Sequence, residues 1–261
     1  MSRLLVRRPS PLLAEGELTH LDRVPVDADL ALAQWRGYVD VFRSRGWDVI
    51  EIAPADDQPD GVFVEDAVVV FGDLAVLCRA GAASRRGEAE SVRAGVLASG
   101  IDLAEIVEPG TLDGGDVLKV GSTVYVGASS RTNAAGIAQL RALLEPRGWE
   151  VREIPVTKVL HLKSGVTALP DGTVIGFEPL VDDPALFPVF QGVSEEHGTA
   201  VVVLDEGTVL MSSDAPETAA AHRARGLEVV TVDVSEFEKL EGCVTCLSVR
   251  LRDGDAPRAA G

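Results

Sequence analysis

Apolar runs of strand length alternate along the chain with longer stretches in which apolar residues recur at helical spacing. Five times, a stretch that we expect to be helical ends in a glycine, and a run rich in apolar and β-branched residues follows it. The five glycines are Gly46, Gly100, Gly148, Gly198 and Gly226. Glycine is well suited to the left-handed conformation that closes a helix. The pattern therefore predicts five successive helix–strand units.

Segments of hairpin type lie between these units. Strand-length apolar runs flank three short turns, at 72–73, 121–122 and 171–172. Two further short strands are predicted, in 207–212 and 245–254. The amphipathic stretches predict helices over 30–45, 86–99, 132–147 and 215–225, the last of them capped by Asp214. Each unit is therefore expected to be strand, strand, helix, strand.

A unit of this kind cannot bury its own sheet face, so successive units must pack on one another. The alternative is an open doubly wound sheet, which would show single parallel strands and a glycine-rich phosphate loop. Neither G-x-G-x-x-G nor G-x4-G-K-S/T occurs in the sequence. We therefore expect a closed, pseudo-symmetric α/β arrangement in which residues 1–261 form a single domain with no room for a second.

Composition and charge narrow the classes of partner. The 261 residues include 41 acidic and 24 basic side chains, which gives a formal net charge of −17. An acidic chain of this kind is unsuited to nucleic acid or to anionic membranes, both of which attract basic surfaces. No run approaches the roughly 20 apolar residues of a membrane span. We expect a soluble enzyme or binding protein.

The cysteines and the first residues indicate the compartment. Arginines and prolines break the apolar stretch near the start, so we do not expect a signal peptide. Three cysteines are too few for a disulfide framework, and a cytoplasmic location is expected. Cys243 and Cys246 form a C-x-x-C, which leaves open a redox dithiol or half of a zinc site. The sequence has no second C-x-x-C to complete a zinc site.

Four short segments carry reactive side chains beside predicted strands. Asp60, Glu65 and Asp66 place three carboxylates within seven residues, which is costly beside a buried strand unless a cation is present. The alternative is a solvated acidic loop. The second segment, LDGGDV at 112–117, has two glycines between two aspartates and suits a sharp turn.

The third segment contains His161, between two leucines, and the fourth contains Cys246. Taken alone, a histidine in this setting is more often a structural residue of the core or of a strand edge. Cysteine, histidine and a carboxylate together are the minimal set for nucleophilic catalysis. If the units close into a ring, the four segments lie at the same edge of different modules. We then expect them to meet around a central cavity.

Two arginines are each expected to begin a helix after a hairpin. Arginine is unfavourable near a helix N-terminus, so Arg85 and Arg131 are either surface residues or a clamp for a substrate carboxylate. With carboxylates at one end and arginines at the other, the site would suit a small zwitterion. A guanidinium is the natural cation for paired carboxylates, because its planar fork binds them with two hydrogen bonds. A thiolate could then attack the guanidinium carbon.

Six motifs, in order along nearly the whole chain, resemble those of the dimethylarginine dimethylaminohydrolase family, which belongs to the guanidine-modifying superfamily. They are FVED at 63–66, SRR at 84–86, LDGGD at 112–116, RTN at 131–133, HLKS at 161–164 and TCLS at 245–248. The resemblance implies a five-bladed α/β propeller of ββαβ modules around a central active-site cavity. It also implies hydrolysis of Nω-methylated arginine, asymmetric dimethylarginine or monomethylarginine, to citrulline and dimethylamine or methylamine.

The resemblance also implies a role for each matching residue. Cys246 would be the nucleophile, His161 the general acid that protonates the leaving amine and then activates water, and Asp113 the carboxylate that orients His161. In relatives this carboxylate is sometimes a glutamate, so the aspartate keeps the charge but shortens the reach. No metal or organic cofactor is implied, and Cys243 receives no role.

Substrate binding is assigned in the same way. Asp66 and Glu65 would hold the guanidinium, and Asp60 the α-amino group. Arg85 and Arg131 would bind the α-carboxylate. The backbone carbonyls of two further residues are expected to contact the substrate, the first of them in a lid loop: Leu18 and Leu240.

Alternatives remain at this stage. Arginine or agmatine deimination uses the same chemistry, although arginine deiminases usually carry an additional helical domain. Agmatine lacks a carboxylate, so Arg85 and Arg131 would have no substrate group to bind. A non-catalytic binding protein of pseudo-fivefold architecture is the alternative from another class. The sequence does not determine the oligomeric state and leaves a homodimer open.

Overall fold

The computed structural model describes residues 2–252, and fifteen strands within this range form five sheets of three strands each. In every sheet the central strand pairs antiparallel with one neighbour and parallel with the other. The parallel neighbour follows the central strand in the chain, after a crossover that contains a helix in four of the five sheets. The predicted order of strand, strand, helix and strand is therefore confirmed for most of the chain.

The strands, in chain order, are β1 (Arg3–Val6), β2 (Asp48–Glu51), β3 (Val68–Phe71), β4 (Leu74–Leu77), β5 (Asp102–Glu105), β6 (Val117–Val120), β7 (Thr123–Ala128), β8 (Glu150–Pro155), β9 (Val166–Ala168), β10 (Val174–Gly176), β11 (Phe190–Gly192), β12 (Val201–Asp205), β13 (Thr208–Ser212), β14 (Glu228–Val232) and β15 (Val249–Leu251). The helices are α1 (Ala28–Ser44), α2 (Ala89–Ala98), α3 (Ala134–Leu144), α4 (Leu162–Gly165), α5 (Pro216–Ala224) and α6 (Ser235–Glu238). We number the sheets with their helices as modules 1 to 5, beginning with the sheet β15-β1-β2.

Hydrophobic clusters join every pair of neighbouring modules. The decisive one connects module 1 to module 5, because Leu4 of β1 and Tyr38 of α1 share a buried cluster with Val202 of β12 and Leu210 of β13. The other four clusters connect modules 1 and 2, 2 and 3, 3 and 4, and 4 and 5. The ring is therefore closed, and the protein is a five-bladed α/β propeller. The open doubly wound sheet is wrong.

Four of the five predicted helix-ending glycines have the left-handed backbone, with φ of 76° at Gly46, 73° at Gly100, 86° at Gly148 and 90° at Gly226. Gly198 differs. It lies in a short 3-10 turn, and β12 after it begins module 5 rather than ending module 4. Module 4 crosses over through two 3-10 turns, at 178–180 and 184–186, instead of a helix. The fifth predicted helix is therefore absent from this part of the structure.

The ends of several elements differ from the sequence pattern. The helix at 216–224 begins after Ala215 without a side-chain cap, so the prediction that Asp214 caps it is wrong. Polar caps occur elsewhere, since Asp27 accepts from the backbone of Leu30 at the start of α1. The last predicted strand, 245–254, is shorter: 244–247 form a turn before β15, and 253–254 lie outside the described residues. Among residues 2–252, no helix is both long and apolar enough to cross a membrane.

Candidate active site

The segments predicted to converge do so, and each precedes the strand that pairs antiparallel with the central strand of its sheet. FVED precedes β3, LDGGD precedes β6, HLKS precedes β9 and TCLS precedes β15. Because the modules repeat around the ring, these positions lie at the same edge of the propeller. They surround a cavity that is lined, among others, by seven of the predicted residues: Asp60, Asp66, Arg85, Arg131, His161, Leu240 and Cys246. Asp113 lies behind His161, whereas Glu65 and Leu18 do not line this cavity.

His161 is buried between two carboxylates. Its Nε2 lies 3.1 Å from Oδ2 of Asp113, and its Nδ1 lies 3.7 Å from Oδ1 of Asp66. Burial by itself would lower the pKa of His161, but the negative charge of Asp66 and the hydrogen bond to Asp113 outweigh it and raise the pKa to about 9. The imidazole is therefore protonated at neutral pH and can donate a proton to a leaving group.

The two glycines of LDGGD allow these groups to meet. A Cβ on Gly115 would lie 2.6 Å from Nδ1 of His161 and 2.7 Å from Oδ1 of Asp66, which is closer than atoms can approach. The Gly115 N–H instead donates to that Asp66 oxygen at 3.0 Å. A Cβ on Gly114 would lie 2.0 Å from the carbonyl oxygen of Glu65. The sharp turn expected from the sequence is therefore also a close approach of backbone to side chains.

The second aspartate of LDGGD connects three segments, a role that the sequence analysis did not assign. The buried carboxylate of Asp116 accepts from the hydroxyls of Ser129 and Thr132, both at 2.6 Å, and from the N–H of Leu162 at 2.9 Å. It thereby fixes the RTN and HLKS segments relative to each other. Its place in a motif with Asp113 was the one signal in the sequence.

The two arginines have different surroundings. Arg85 donates from Nε and Nη2 to Glu88 and from Nη1 to Asp66, at 2.8, 2.9 and 2.9 Å. Nη2 of Arg131 lies 3.1 Å from a carboxylate oxygen of Glu17, while its Nη1 is buried with no hydrogen-bond partner in the described residues. A buried guanidinium nitrogen without an acceptor is costly, so Arg131 is the better prepared of the two to bind a carboxylate.

A loop at 16–21 covers the cavity. The N–H of Glu17 donates to Asp60 at 3.0 Å, and burial raises the pKa of Asp60. Glu241, with a left-handed φ of 59°, accepts from the N–H groups of Thr19, His20 and Leu21. With the loop in this position, the cavity measures about 10 Å³, room for about one water molecule. A larger ligand therefore needs the loop to move.

Cys246 lies in the turn before β15, with its sulfur 3.5 Å from that of Cys243. The hydrogen bond with Cys243, burial and the charge of Glu65 raise the pKa of Cys246 well above that of an ordinary thiol. The cysteines of the described residues are free. No group of three or more histidine, cysteine or acidic side chains within 2–252 is arranged to hold a metal.

Glu65 faces away from this cavity. Its carboxylate lies 2.7 Å from Nζ of Lys163 and 3.0 Å from Nη2 of Arg250, and it lines a second, larger cavity of about 670 Å³. The side chain of Leu18, in the loop at 16–21, packs against the hydrophobic cluster of modules 1 and 5. The adjacent carboxylates of FVED therefore lie on different sides of the turn.

Known proteins resemble the whole chain. The model of the family described as eukaryotic N,N dimethylarginine dimethylhydrolase matches residues 23–165. The N(G),N(G)-dimethylarginine dimethylaminohydrolase of Streptomyces coelicolor is 59% identical over 96% of this chain and 97% of its own length. The chain belongs to the dimethylarginine dimethylaminohydrolase family.

Solved structures of the family superpose closely. One is an adduct of a dimethylarginine dimethylaminohydrolase with S-methyl-L-thiocitrulline, with a TM-score of 0.88 and 31% identity over 96% of this chain and all of that chain. Another is the enzyme of Pseudomonas aeruginosa, in a cysteine-to-serine variant with citrulline, with a TM-score of 0.88 and 32% identity over 95% and 98% of the two chains. Family membership thus covers all five modules and the four segments that form the cavity.

Proposed function

We propose that this protein hydrolyses Nω-methylated arginine, asymmetric dimethylarginine or monomethylarginine, to citrulline and dimethylamine or methylamine. It would therefore be a hydrolase of carbon–nitrogen bonds in linear amidines. One observation carries the proposal: Cys246 lines the same cavity as a protonated His161, whose ring is held by Asp113. The similarity of the whole chain to dimethylarginine dimethylaminohydrolases supports the choice of substrate.

The cavity has groups for both ends of such a substrate. Asp66 is kept ionised, because the charges of His161 and Arg85 outweigh its burial and lower its pKa, and it would bind the guanidinium. Asp60 would bind the α-amino group. Arg131, whose Nη1 has no hydrogen-bond partner among residues 2–252, would bind the α-carboxylate together with Arg85. The carbonyls of Leu18 and Leu240 would complete the contacts.

In the first half of the reaction, Cys246 attacks the guanidinium carbon and forms a carbon–sulfur bond. The thiol must first lose its proton to solvent, because His161 is already protonated, and the raised pKa of Cys246 opposes this loss. A bound guanidinium stabilises the thiolate, so the substrate's own cation would promote the attack. His161 then donates its proton to the methylated nitrogen, and the carbon–nitrogen bond breaks to release the amine.

In the second half, water attacks the remaining covalent intermediate. His161, now neutral, takes one proton from this water as the water oxygen bonds to the carbon. The carbon–sulfur bond then breaks, and the remaining hydroxyl proton passes to the departing sulfur, which gives citrulline and the Cys246 thiol. Asp113 keeps the ring oriented and stabilises its protonated form. All covalent steps are carried by the side chains of this chain and by water.

Agmatine is disfavoured by the carboxylate end of the cavity, because a substrate without a carboxylate would leave Nη1 of Arg131 unpaired. Arginine itself has the same carboxylate and differs only in lacking the methyl groups. Arginine deimination is therefore the second candidate, and the cavity walls near Cys246 must discriminate between the two.

The deciding experiment is a citrulline assay with asymmetric dimethylarginine, arginine and agmatine on one preparation, beside the Cys246→Ser variant. We expect citrulline from dimethylarginine and none from Cys246→Ser, whose fold is checked by its circular dichroism. A binding protein without catalysis would give no citrulline from any substrate. Turnover of arginine at a higher kcat/KM would instead favour the deiminase.

We further propose that the five modules act as one domain in the cytoplasm. The pairing of β1 with β15 in a single sheet supports a single domain, and the free cysteines of the described residues support a cytoplasmic location. A homodimer stays a prediction, which light scattering of the purified protein tests.

A further inference from the structure

Glu65 is a buried carboxylate with two cations and a hydroxyl around it. Oε1 lies 2.7 Å from Nζ of Lys163 and 3.0 Å from Nη2 of Arg250, and Oε2 accepts from the hydroxyl of Thr245 at 2.8 Å. Only 4% of Glu65 is exposed, and Lys163 is almost as deeply buried. A carboxylate with both oxygens engaged in this way has little capacity left for a ligand.

The same residue holds the turn that carries Cys246 at two points. The hydroxyl of Thr245, the residue before Cys246, donates to the Glu65 carboxylate, and the Glu65 N–H donates to the Cys246 carbonyl at 3.2 Å. Thr245 also lies 3.3 Å from the sulfur of Cys243. The position of the turn, and so of the Cys246 sulfur, therefore depends on where the Glu65 side chain is fixed.

Two other site segments also contact Glu65. Lys163 belongs to HLKS, two residues after His161, and Gly114 of LDGGD lies directly against the Glu65 carbonyl. Asp66, the next residue, points to the other side, towards His161. Glu65 is thus the residue at which the segments carrying the nucleophile, the general acid and its orienting carboxylate meet.

We propose that Glu65 is a positioning residue that fixes the Cys246 turn through Thr245, and that it does not bind the substrate guanidinium. The inference rests on the proposed function, because it concerns the same reaction. The proposal also assigns a role to Lys163 and Arg250. They offset part of the negative charge of Glu65, which would otherwise oppose formation of the Cys246 thiolate more strongly.

The threonine provides the cleanest test, since its substitution changes no charge. We expect Thr245→Val to lower kcat for dimethylarginine about tenfold or more while KM stays within about twofold, and Thr245→Ser to restore kcat. Thr167→Val, which removes an equally buried hydroxyl in module 4, serves as the matched control and should leave both constants unchanged. A kcat of Thr245→Val equal to that of wild type would overturn the proposal.

Glu65→Gln separates positioning from substrate binding. If Glu65 positions the turn, kcat falls and KM changes little; if it binds the guanidinium, KM rises steeply with kcat retained, which contradicts the proposal. Glu65→Gln leaves the buried ammonium of Lys163 without its carboxylate, so the double variant Glu65→Gln/Lys163→Met is measured beside it. We expect the double variant to show the same fall in kcat with little change in KM.

A measurement without substrate tests the positioning role of Glu65 independently of the proposed hydrolase function. The pH profile of Cys246 alkylation by iodoacetamide, with Cys246→Ser as the blank, reports on the thiol alone. We expect the profile to shift in Thr245→Val and to return in Thr245→Ser; identical profiles in all three would count against positioning. If wild type forms no citrulline, the proposed function fails, and this profile still decides the role of Glu65.

Discussion

A carboxylate oxygen of Glu17 lies 3.1 Å from Nη2 of Arg131, where the carboxylate of the proposed substrate would bind. Glu17 comes from the loop over the cavity, so the protein's own carboxylate competes with the ligand for Arg131. The small volume of the cavity agrees with this closed arrangement.

The first prediction concerns this competition. We expect Glu17→Gln to lower KM for dimethylarginine by roughly two- to fivefold. The effect is small because a partly exposed ion pair such as Glu17–Arg131 is weak, so removing it strengthens substrate binding only slightly. Steady-state kinetics measure it, and kcat should stay close to wild type. Glu15→Gln, an exposed change in the same segment, is the control. A higher KM in Glu17→Gln would mean that Glu17 binds the substrate rather than competing with it.

The second prediction uses the raised pKa of His161. The charge of Asp66, the hydrogen bond to Asp113 and the charge of Asp116 raise this pKa to about 9, so Asp113→Asn, which removes one of these carboxylates, lowers it. The general acid then loses its proton at lower pH, and the alkaline limb of the kcat profile shifts to lower pH. We also expect kcat at its optimum to fall about tenfold or more. Asp102→Asn, at an exposed end of β5, should leave the profile in place; an unshifted limb in Asp113→Asn would refute the role of Asp113.

The third prediction tests the close approach at Gly115. A Cβ there must displace both His161 and Asp66, so Gly115→Ala should lower kcat by about an order of magnitude and destabilise the protein by about 1–3 kcal/mol. Kinetics and thermal unfolding measure the two effects. Gly37→Ala is the matched control, because a Cβ there meets no atom within 4 Å and the residue lies inside α1. Equal behaviour of both variants would show that the space at Gly115 is not required.

The fourth prediction concerns the loop. Glu241→Gly keeps the left-handed backbone, which glycine adopts readily, but removes the carboxylate that accepts from three N–H groups of the loop. Hydrogen exchange of the amides at 19–21 should become faster by about tenfold or more, with the exchange of β-strand amides unchanged. Glu206→Gly, in an exposed turn of module 5, controls for the added glycine. Unchanged exchange at 19–21 would show that Glu241 does not hold the loop.

The repeat of the chain was visible in its sequence because it depends on local physics. Gly46, Gly100, Gly148 and Gly226 end their helices as predicted, since a left-handed residue favours glycine whatever surrounds it. Gly198 followed the same pattern for a different reason: a Cβ there would lie 2.4 Å from Oγ1 of Thr218. When a glycine is required by packing against another element, its neighbours in the sequence do not distinguish it from a glycine that ends a helix.

The candidate site likewise has features that the sequence predicts and features that only the tertiary structure determines. The repeat predicted that the segments carrying Cys246, His161 and Asp113 converge, because the strand that follows each motif enters the ring at the same edge. The resemblance to the family, not the repeat, assigned these three residues their roles. Only the tertiary structure decided which way Glu65 and Asp66 point and which carboxylate occupies Arg131. Neighbouring residues of a 3-10 turn face different directions, and the direction that meets substrate is set by the packing of modules far apart in the chain.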